Sequence, residues 1–496
     1  MNVPRITGQG TGNVQPAYRW AQIELVAATA AATMALLTLG AESVATNRAV
    51  IFICATLWIV MCVVAVSEIV VSGAQLTKAT CLLGVTYWFW IEAIDLALDN
   101  PPFVVAPTFY PYLSGEYPSS LVATGVTAVS LFGLCLLAGY HMVRPVAIVQ
   151  RALVQRQDAV SGIWLDGICF GLSILGWIPV LITVGADLEW LLEIMSSMRS
   201  YQLTGQESDV GLAVHFGLVS VAGGALALAR LAAGIQGSRV FQVLAFLSAM
   251  ILVFSTGSRF NLGYLMLPTV MSLAALLQHS GAKAVRGARP KVIVAVLIVS
   301  CAAILQGALR GMGLVEGRSY LDEQSVVSIG QAGGFGHEHF SAALLAIDLT
   351  QRRGEYYMEP MTPYFFTHFI PKDVWPDKPY PKSWLEYNSV VTGGTETFNV
   401  TPSVVGQYYM NWGLLGVMYI GLFFGALART LDGCLAILDP EIQFIALVIC
   451  GMWAVFLFLS FRFFYPLYFA FPVAGTVIYL VLSTTHRRKR SLKLGR

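Results

Sequence analysis

Long apolar runs recur along almost the whole chain, and they are near-continuous rather than alternating every second residue. A run of about 18–20 such residues allows an α-helix to cross the hydrocarbon core of a bilayer. Continuous runs favour helices over the alternating strands of a membrane barrel. The pattern predicts twelve membrane spans, at 21–41, 49–72, 78–98, 119–141, 161–185, 210–230, 240–256, 261–279, 291–309, 401–428, 441–460 and 466–484.

One long polar stretch, residues 310–400, interrupts this pattern between the ninth and tenth predicted spans. It collects histidines, charged residues and aromatic rings, and ionisable groups of this kind are costly inside apolar spans. A short helix is predicted within it at Ser341–Leu349. The sequence therefore predicts four regions: nine spans in 1–309, a large loop in 310–400, three spans in 401–484 and a basic tail in 485–496.

The distribution of basic residues predicts the orientation of this all-α integral membrane protein. If the spans alternate from a cytoplasmic N-terminus, 19 of the 30 Lys and Arg residues fall on inner segments. The positive-inside rule then predicts that both termini are cytoplasmic and that the large loop faces outward. Because 56% of the residues are hydrophobic and 12% are charged, a soluble domain is excluded. The net charge of +2 gives no reason to expect a nucleic-acid partner.

Three arginines stand at predicted outer ends of spans: Arg259, Arg310 and Arg462. A guanidinium group grips phosphate oxygens with a rigid two-pronged fork, so these residues are candidates for binding a diphosphate-linked lipid. The alternative is that each side chain only extends to lipid headgroups.

A glycine-rich motif in the loop, Gly333-Gly334-Phe335-Gly336-His337-Glu338-His339, places two imidazoles around a carboxylate. His337, Glu338 and His339 are therefore candidates for taking a proton from an attacking hydroxyl. A metal site is not expected, because no third and fourth ligands match the two histidines. The other open interpretation is polar capping at a helix N-terminus.

Glu92 and Asp95 lie three residues apart near the outer end of the third predicted span, on one helical face. Ionisable groups in a span usually face a cavity or a partner. This pair could orient a sugar or act as a base, or it could pair with an outer arginine for structural reasons. Trp375 and Trp384 offer flat faces to sugars, although such rings are also ordinary at a membrane interface.

The segment Pro371-Lys372-Asp373-Val374-Trp375-Pro376-Asp377-Lys378-Pro379 resembles one in the large outer loop of the Wzy-type oligosaccharide repeat-unit polymerases, or O-antigen polymerases. The chain is also similar to that family at Thr401-Pro402 and at Asn411-Trp412-Gly413-Leu414-Leu415-Gly416. Gly257-Ser258-Arg259 and Arg310-Gly311 add to the resemblance. Two positions depart from the family pattern: Lys372 replaces the usual arginine, and Gln407 replaces the usual glutamate.

The resemblance implies a GT-C-like bundle in a bacterial inner membrane, with the large loop in the periplasm. It implies a metal-independent glycosyltransferase that needs no cofactor and polymerises undecaprenyl-diphosphate-linked oligosaccharides. The bilayer, a chain-length regulator and a flippase are the other expected partners. The product would be a surface polysaccharide such as O-antigen or exopolysaccharide.

We hypothesise that an acceptor hydroxyl attacks the anomeric carbon of the donor glycan. One of His337, Glu338 and His339 takes the proton. Arg259 and Arg310 stabilise the departing diphosphate. Substrate binding is assigned to Lys378, Trp375, Trp384, Lys372, Arg462, Asn411, Glu92 and Asp95. The alternatives are a polysaccharide ligase with the same chemistry, a lipid-linked oligosaccharide flippase or other transporter, and a structural membrane scaffold.

Overall fold

The computed structural model describes residues 14–39, 44–72, 75–98, 118–146, 162–178, 207–255, 259–279, 339–359, 375, 377, 381–392, 402–438, 443–462, 469 and 471–480. Every regular element in these ranges is a helix. In chain order the α-helices are α1 (Val14–Leu37), α2 (Val44–Ser72), α3 (Leu76–Val85), α4 (Ile91–Ala97), α5 (Ser119–Met142), α6 (Gly162–Leu175), α7 (Glu207–Ala233), α8 (Arg239–Ser255), α9 (Arg259–His279), α10 (His339–Arg353), α11 (Lys382–Thr392), α12 (Ser403–Leu435), α13 (Phe444–Ser460) and α14 (Phe471–Leu480). A π-helical turn, Thr86–Trp90, joins α3 to α4.

Helices lie in every predicted span whose residues the structure describes. The boundaries differ at some ends: α1 begins at Val14, before the predicted start, and α12 continues to Leu435. The predicted span at 291–309 lies outside the described residues. The short helix predicted in the polar stretch is present as α10, longer at both ends. The all-α class is therefore confirmed for the described part of the chain.

Within the described ranges, three helical stretches are long and apolar enough to cross a membrane: Ala45–Ser67, Ser119–Met142 and Ser403–Leu435. Several shorter apolar helices of 10–17 residues accompany them. This composition is compatible with a membrane protein. The number of twelve crossings, and the side on which each end lies, stay predictions.

Small residues let α5 and α12 approach closely at the centre of the bundle. A Cβ atom at Gly425 would overlap the carbonyl group of Leu136, and one at Gly139 would overlap that of Leu422. Gly421, four residues before Gly425, also packs against the α5 backbone. This spacing of glycines on one helix face is the arrangement that brings membrane helices into backbone contact.

Buried ion pairs join the helices at one end of the bundle, which we call the Lys78 end. Lys78 Nζ lies 2.7 and 2.9 Å from the two carboxylate oxygens of Glu24, and His141 Nε2 lies 3.1 Å from Glu24 Oε2. The Asp432 carboxylate accepts the backbone N–H groups of Thr77, at 2.7 Å, and of Lys78, at 3.1 Å. These contacts tie α1, α3, α5 and α12 together.

Another buried carboxylate, that of Asp166, joins α6, α7 and α8 to one another. It accepts hydrogen bonds from Arg230 Nε at 2.9 Å, from the Ser238 backbone N–H at 2.8 Å and from Gln242 Nε2 at 3.1 Å. The first N–H groups of a helix have no partner within the helix. Asp432 and Asp166 therefore each satisfy the start of a neighbouring helix from another element.

Candidate functional site

Helix α10, from the predicted loop, lies inside the bundle against α5 and α12. Phe340, Leu344 and Ile347 are fully buried. A Cβ atom at Gly125 of α5 would overlap the Leu344 side chain, and one at Gly406 of α12 would lie 2.8 Å from the Ala346 methyl group. At least this part of the polar stretch is therefore a core element.

The first turn of α10 is bound by Glu92 of α4. The Phe340 backbone N–H donates to Glu92 Oε2, and the Ser341 backbone N–H donates to Glu92 Oε1 at 2.9 Å. The carboxylate is fully buried. Negative charge is favourable at a helix N-terminus, where the N–H groups point outward. Both oxygens of Glu92 thus accept hydrogen bonds from backbone N–H groups of α10.

Trp88, in the π-helical turn, lies against His339. The two rings meet edge to face, with centroids 4.7 Å apart and planes at 77°. Trp88 Nε1 donates to the Phe458 carbonyl of α13 at 2.9 Å. His339 is itself 4% exposed. A π-helical turn inserted in an α-helix is frequently found at functional sites.

Helix α12 is interrupted at the Asn-Trp-Gly part of the resemblance motif. Trp412 and Gly413 have non-helical dihedral angles, and Gly413 has φ +61° and ψ −148°. A break in a span leaves carbonyl groups that need partners. The Tyr357 N–H donates to the Met410 carbonyl at 3.1 Å, and the Met358 N–H donates to the Asn411 carbonyl at 3.0 Å. The chain segment after α10 therefore satisfies the interruption.

Asn411 extends this contact to Glu359. Its side-chain oxygen accepts the Glu359 backbone N–H at 3.2 Å, and its Nδ2 donates to the Gln407 carbonyl at 2.9 Å. The Glu359 carboxylate accepts the backbone N–H groups of Lys382 at 2.7 Å and Ser383 at 3.1 Å, and the Ser383 hydroxyl at 3.0 Å. We call these contacts the Glu359 clamp. They bring together Glu359 and Lys382, the two residues that flank 360–381.

An arginine at the end of α10 supports the clamp. Arg353 Nη1 lies 2.6 Å from Glu386 Oε2 of α11, and its guanidinium carbon lies 4.3 Å from the centroid of the Tyr357 ring. Burial, followed by the nearby Glu386 carboxylate, raises the pKa of the Tyr357 phenol. The phenol therefore stays neutral beside these two charged groups.

The two predicted sugar-stacking tryptophans lie in different surroundings. Trp384 is 7% exposed, on the same helix as the buried Tyr387. Trp375 is 39% exposed. Since stacking on a sugar needs an accessible ring face, Trp375 is the more suitable of the two.

Several predicted site residues are only partly described. Helix α9 begins at Arg259 and α4 contains Asp95, but their side chains lie outside the described part. Arg462 follows α13 and is partly buried. The remaining predicted residues outside the described ranges are Arg310, His337, Glu338, Lys372 and Lys378. Among the residues that the structure does describe, no group of three or more His, Cys, Asp or Glu is arranged to hold a metal ion.

The structure thus brings Glu92 to His339, and Asn411 to Glu359. Sequence reasoning missed Glu359, Trp88 and Arg353. The sequence did indicate that α11 needs an acceptor from elsewhere. Pro381, which precedes α11, cannot supply a side-chain cap to the first N–H groups of that helix. The pattern did not indicate which acceptor elsewhere in the chain would meet them.

No protein-family model, curated protein or solved structure matches this chain. The resemblance described above therefore depends on its motif residues alone.

Replacing Gly413 with alanine is expected to strain the interruption in α12. Its backbone angles are essentially restricted to glycine, and such strain costs about 1–3 kcal/mol. The added Cβ would also lie 2.6 Å from the Tyr356 hydroxyl oxygen. We therefore expect a lower unfolding temperature in detergent and faster proteolysis of residues 356–359.

Gly167→Ala is the matched control for this prediction, because a Cβ atom there meets nothing within 4 Å. Alanine inside a helix is favoured over glycine by about 0.5–1 kcal/mol, so this variant should be at least as stable as the wild type. Equal stability of the two variants would contradict the role assigned to Gly413.

Proposed function

We propose that this protein polymerises undecaprenyl-diphosphate-linked oligosaccharide repeat units at the outer face of a bacterial inner membrane. The growing glycan is transferred from its lipid diphosphate to the non-reducing sugar of the next lipid-linked unit. The Glu359 clamp is the observation that carries this proposal. It joins the ends of the stretch that contains the 371–379 motif, and through Asn411 it joins them to the 411–416 motif.

This connection matters because the two motifs are separate in the sequence. A family resemblance in two unconnected surface segments would carry little weight. Here Asn411, in one motif, hydrogen-bonds to the residue that closes the stretch containing the other. A site that binds a diphosphate and a glycan together needs such elements held in one place before the substrate arrives.

The proposed reaction forms one glycosidic bond and breaks one bond to phosphate. The acceptor hydroxyl oxygen attacks the anomeric carbon of the donor glycan, and its proton passes to one of His337, Glu338 and His339. The bond between that carbon and the diphosphate oxygen breaks. Undecaprenyl diphosphate leaves with its charge stabilised by Arg259 and Arg310, as fixed positive groups stabilise developing charge in other active sites.

The direct test is reconstitution of the purified full-length protein in nanodiscs with undecaprenyl-diphosphate-linked repeat units. We expect a ladder of lipid-linked oligomers and one released undecaprenyl diphosphate for each bond formed. A product that appears only after addition of a different acceptor, such as a lipid core, would instead indicate a ligase. In proteoliposomes, transport across the bilayer without a new glycosidic bond would indicate a flippase.

Replacing Glu359 with glutamine is expected to weaken the clamp and shorten the ladder. The glutamine keeps one acceptor oxygen but turns an NH₂ group toward the N–H of either Lys382 or Ser383. Loss of such a cap costs about 0.5–2 kcal/mol. The rate of polymerisation and the rate of proteolysis within 360–381 measure the effect.

Glu355→Gln is the control, because Glu355 is 71% exposed and forms only a 3.3 Å ion pair with Arg353 among the contacts described. It removes the same charge four residues away. If both variants polymerise at the wild-type rate, the clamp does not hold the site and the proposal loses its structural support.

A further inference from the structure

We infer that Glu92 and Trp88 are positioning residues that anchor the first turn of α10, and that His339 belongs to this anchor rather than accepting the proton. The inference rests on the proposed polymerase function, in which His337, Glu338 and His339 were equal candidates. The inference assigns His339 a structural role and leaves His337 and Glu338 as the candidates for accepting the proton. The anchor also gives Glu92 a function other than contact with the sugar.

Both oxygens of the Glu92 carboxylate bind α10. Each of its oxygens accepts a different backbone N–H, from Phe340 and from Ser341, and the side chain has no exposed surface. Hydrogen bonds between a carboxylate and N–H groups are stronger than those between neutral groups. Because Glu92 comes from α4, the cap fixes α10 relative to the bundle and does more than complete the helix end.

An aromatic contact at His339 also holds the first turn of α10. The Trp88 ring lies edge to face against His339, and its Nε1 hydrogen bond to the Phe458 carbonyl fixes the ring to α13. Gly84 of α3, one turn earlier in the chain, packs against Phe461, the residue that follows α13. The turn that precedes α4 is thus bound to α13 on one side and to α10 on the other.

The burial of His339 argues against its acting on substrate. A proton acceptor must come within about 2.6–3.2 Å of the attacking hydroxyl, directly or through one water molecule. The His339 side chain is almost fully enclosed and one ring edge is in contact with Trp88. It therefore lacks the accessible surface that a sugar hydroxyl would need.

Covalent geometry limits how far the residues just before the anchor can lie from it. Consecutive Cα atoms are about 3.8 Å apart, so the Cα atoms of Glu338 and His337 lie within about 4 and 8 Å of that of His339. Loss of the anchor would let both of them move relative to the bundle. A misplacement of about 1 Å at a reacting group can cost 10²-fold in rate.

The first test replaces Glu92 with glutamine in the full-length protein in nanodiscs. We expect hydrogen exchange at the Phe340 and Ser341 amides to become at least about tenfold faster, because each 1.4 kcal/mol of protection is worth a factor of ten and one charge-assisted bond is lost. The polymerisation kcat should fall about 10²-fold, with the KM for the acceptor unchanged within about twofold.

Two further variants keep this test decisive if Glu92→Gln folds poorly. Glu92→Asp keeps the charge but is one methylene shorter, so exchange and kcat should both be intermediate. Glu355→Gln removes a carboxylate whose side chain is 71% exposed, and should leave the two amides protected. Wild-type exchange and kcat in both Glu92 variants would overturn the inference.

The second test replaces His339 with phenylalanine, which keeps a ring against Trp88 but cannot accept a proton. We expect kcat to fall less than about tenfold and the pH profile of kcat to keep its acid limb, because His337 or Glu338 still titrates. Loss of that limb in a folded variant would make His339 the proton acceptor. If the wild type forms no polymer, the proposed function fails, while the exchange rates still decide whether Glu92 anchors α10.

Discussion

Replacing Lys78 with methionine is expected to lower the free energy of unfolding by about 3–5 kcal/mol, the cost of removing one partner of a buried ion pair. Lys78 Nζ lies within 2.9 Å of both oxygens of Glu24, and the two side chains are 1% and 0% exposed. The variant would leave the Glu24 carboxylate buried, with His141 as its one remaining described side-chain partner. Thermal or SDS-induced unfolding in detergent measures the change.

The double variant Glu24→Gln/Lys78→Met tests whether the loss of stability comes from the unpaired Glu24 carboxylate. Removing both charges eliminates the uncompensated carboxylate, so it should recover most of the lost stability. Arg352→Met is the surface control: its ion pair with Asp348 is at 2.7 Å, but the arginine is 73% exposed. Such exposed pairs contribute about 0–1 kcal/mol. Additive effects of the two single replacements would show that Lys78 and Glu24 are not coupled.

Replacing Arg310 with alanine is expected to slow polymerisation by about 10²–10³-fold, the effect of removing one well-placed group that stabilises developing charge. Arg259→Ala should act in the same way, and α9 begins at this residue. In cells, both variants should be inserted in the membrane at normal levels but yield single repeat units instead of long chains. Polysaccharide gels and the reconstituted assay measure the two effects independently.

The control for this prediction is Arg352→Ala, which removes a positive charge from the exposed end of α10. It should give wild-type chain lengths. Normal chain lengths from both Arg259→Ala and Arg310→Ala would end the assignment of guanidinium groups to the leaving diphosphate. Long lipid-bound polymer that fails to reach its final acceptor would instead favour a ligase.

Much of the helical structure could be predicted from the sequence, because it depends on local composition. A long continuous apolar run in the hydrocarbon core of a bilayer forms a helix, since every backbone group must then be satisfied within its own segment. The helix at His339–Arg353 was also predictable in outline from Ser341–Leu349. The sequence did not indicate that this helix packs inside the bundle, because its charged flanks resemble those of a surface loop.

The candidate site was less predictable, because its contacts join residues that are far apart in the chain. Glu92 was expected to orient a sugar, to act as a base or to pair with an outer arginine. Its described hydrogen bonds are instead to the backbone of α10, 249 residues away at Ser341. Asn411 was expected to bind substrate, and it hydrogen-bonds to Glu359. Both residues were recognisable as unusual, but their partners were not.

The sequence alone thus determined that the chain is helical and strongly apolar, and where most of its helices lie, since these properties depend on residues within one or two turns. Only the tertiary structure decided which carboxylate meets which helix end: Glu92 with α10, Glu359 with α11 and Asp432 with α3. A carboxylate can cap any helix whose first N–H groups come within hydrogen-bond distance. The packing of the whole bundle, rather than any local pattern, brings each pair together.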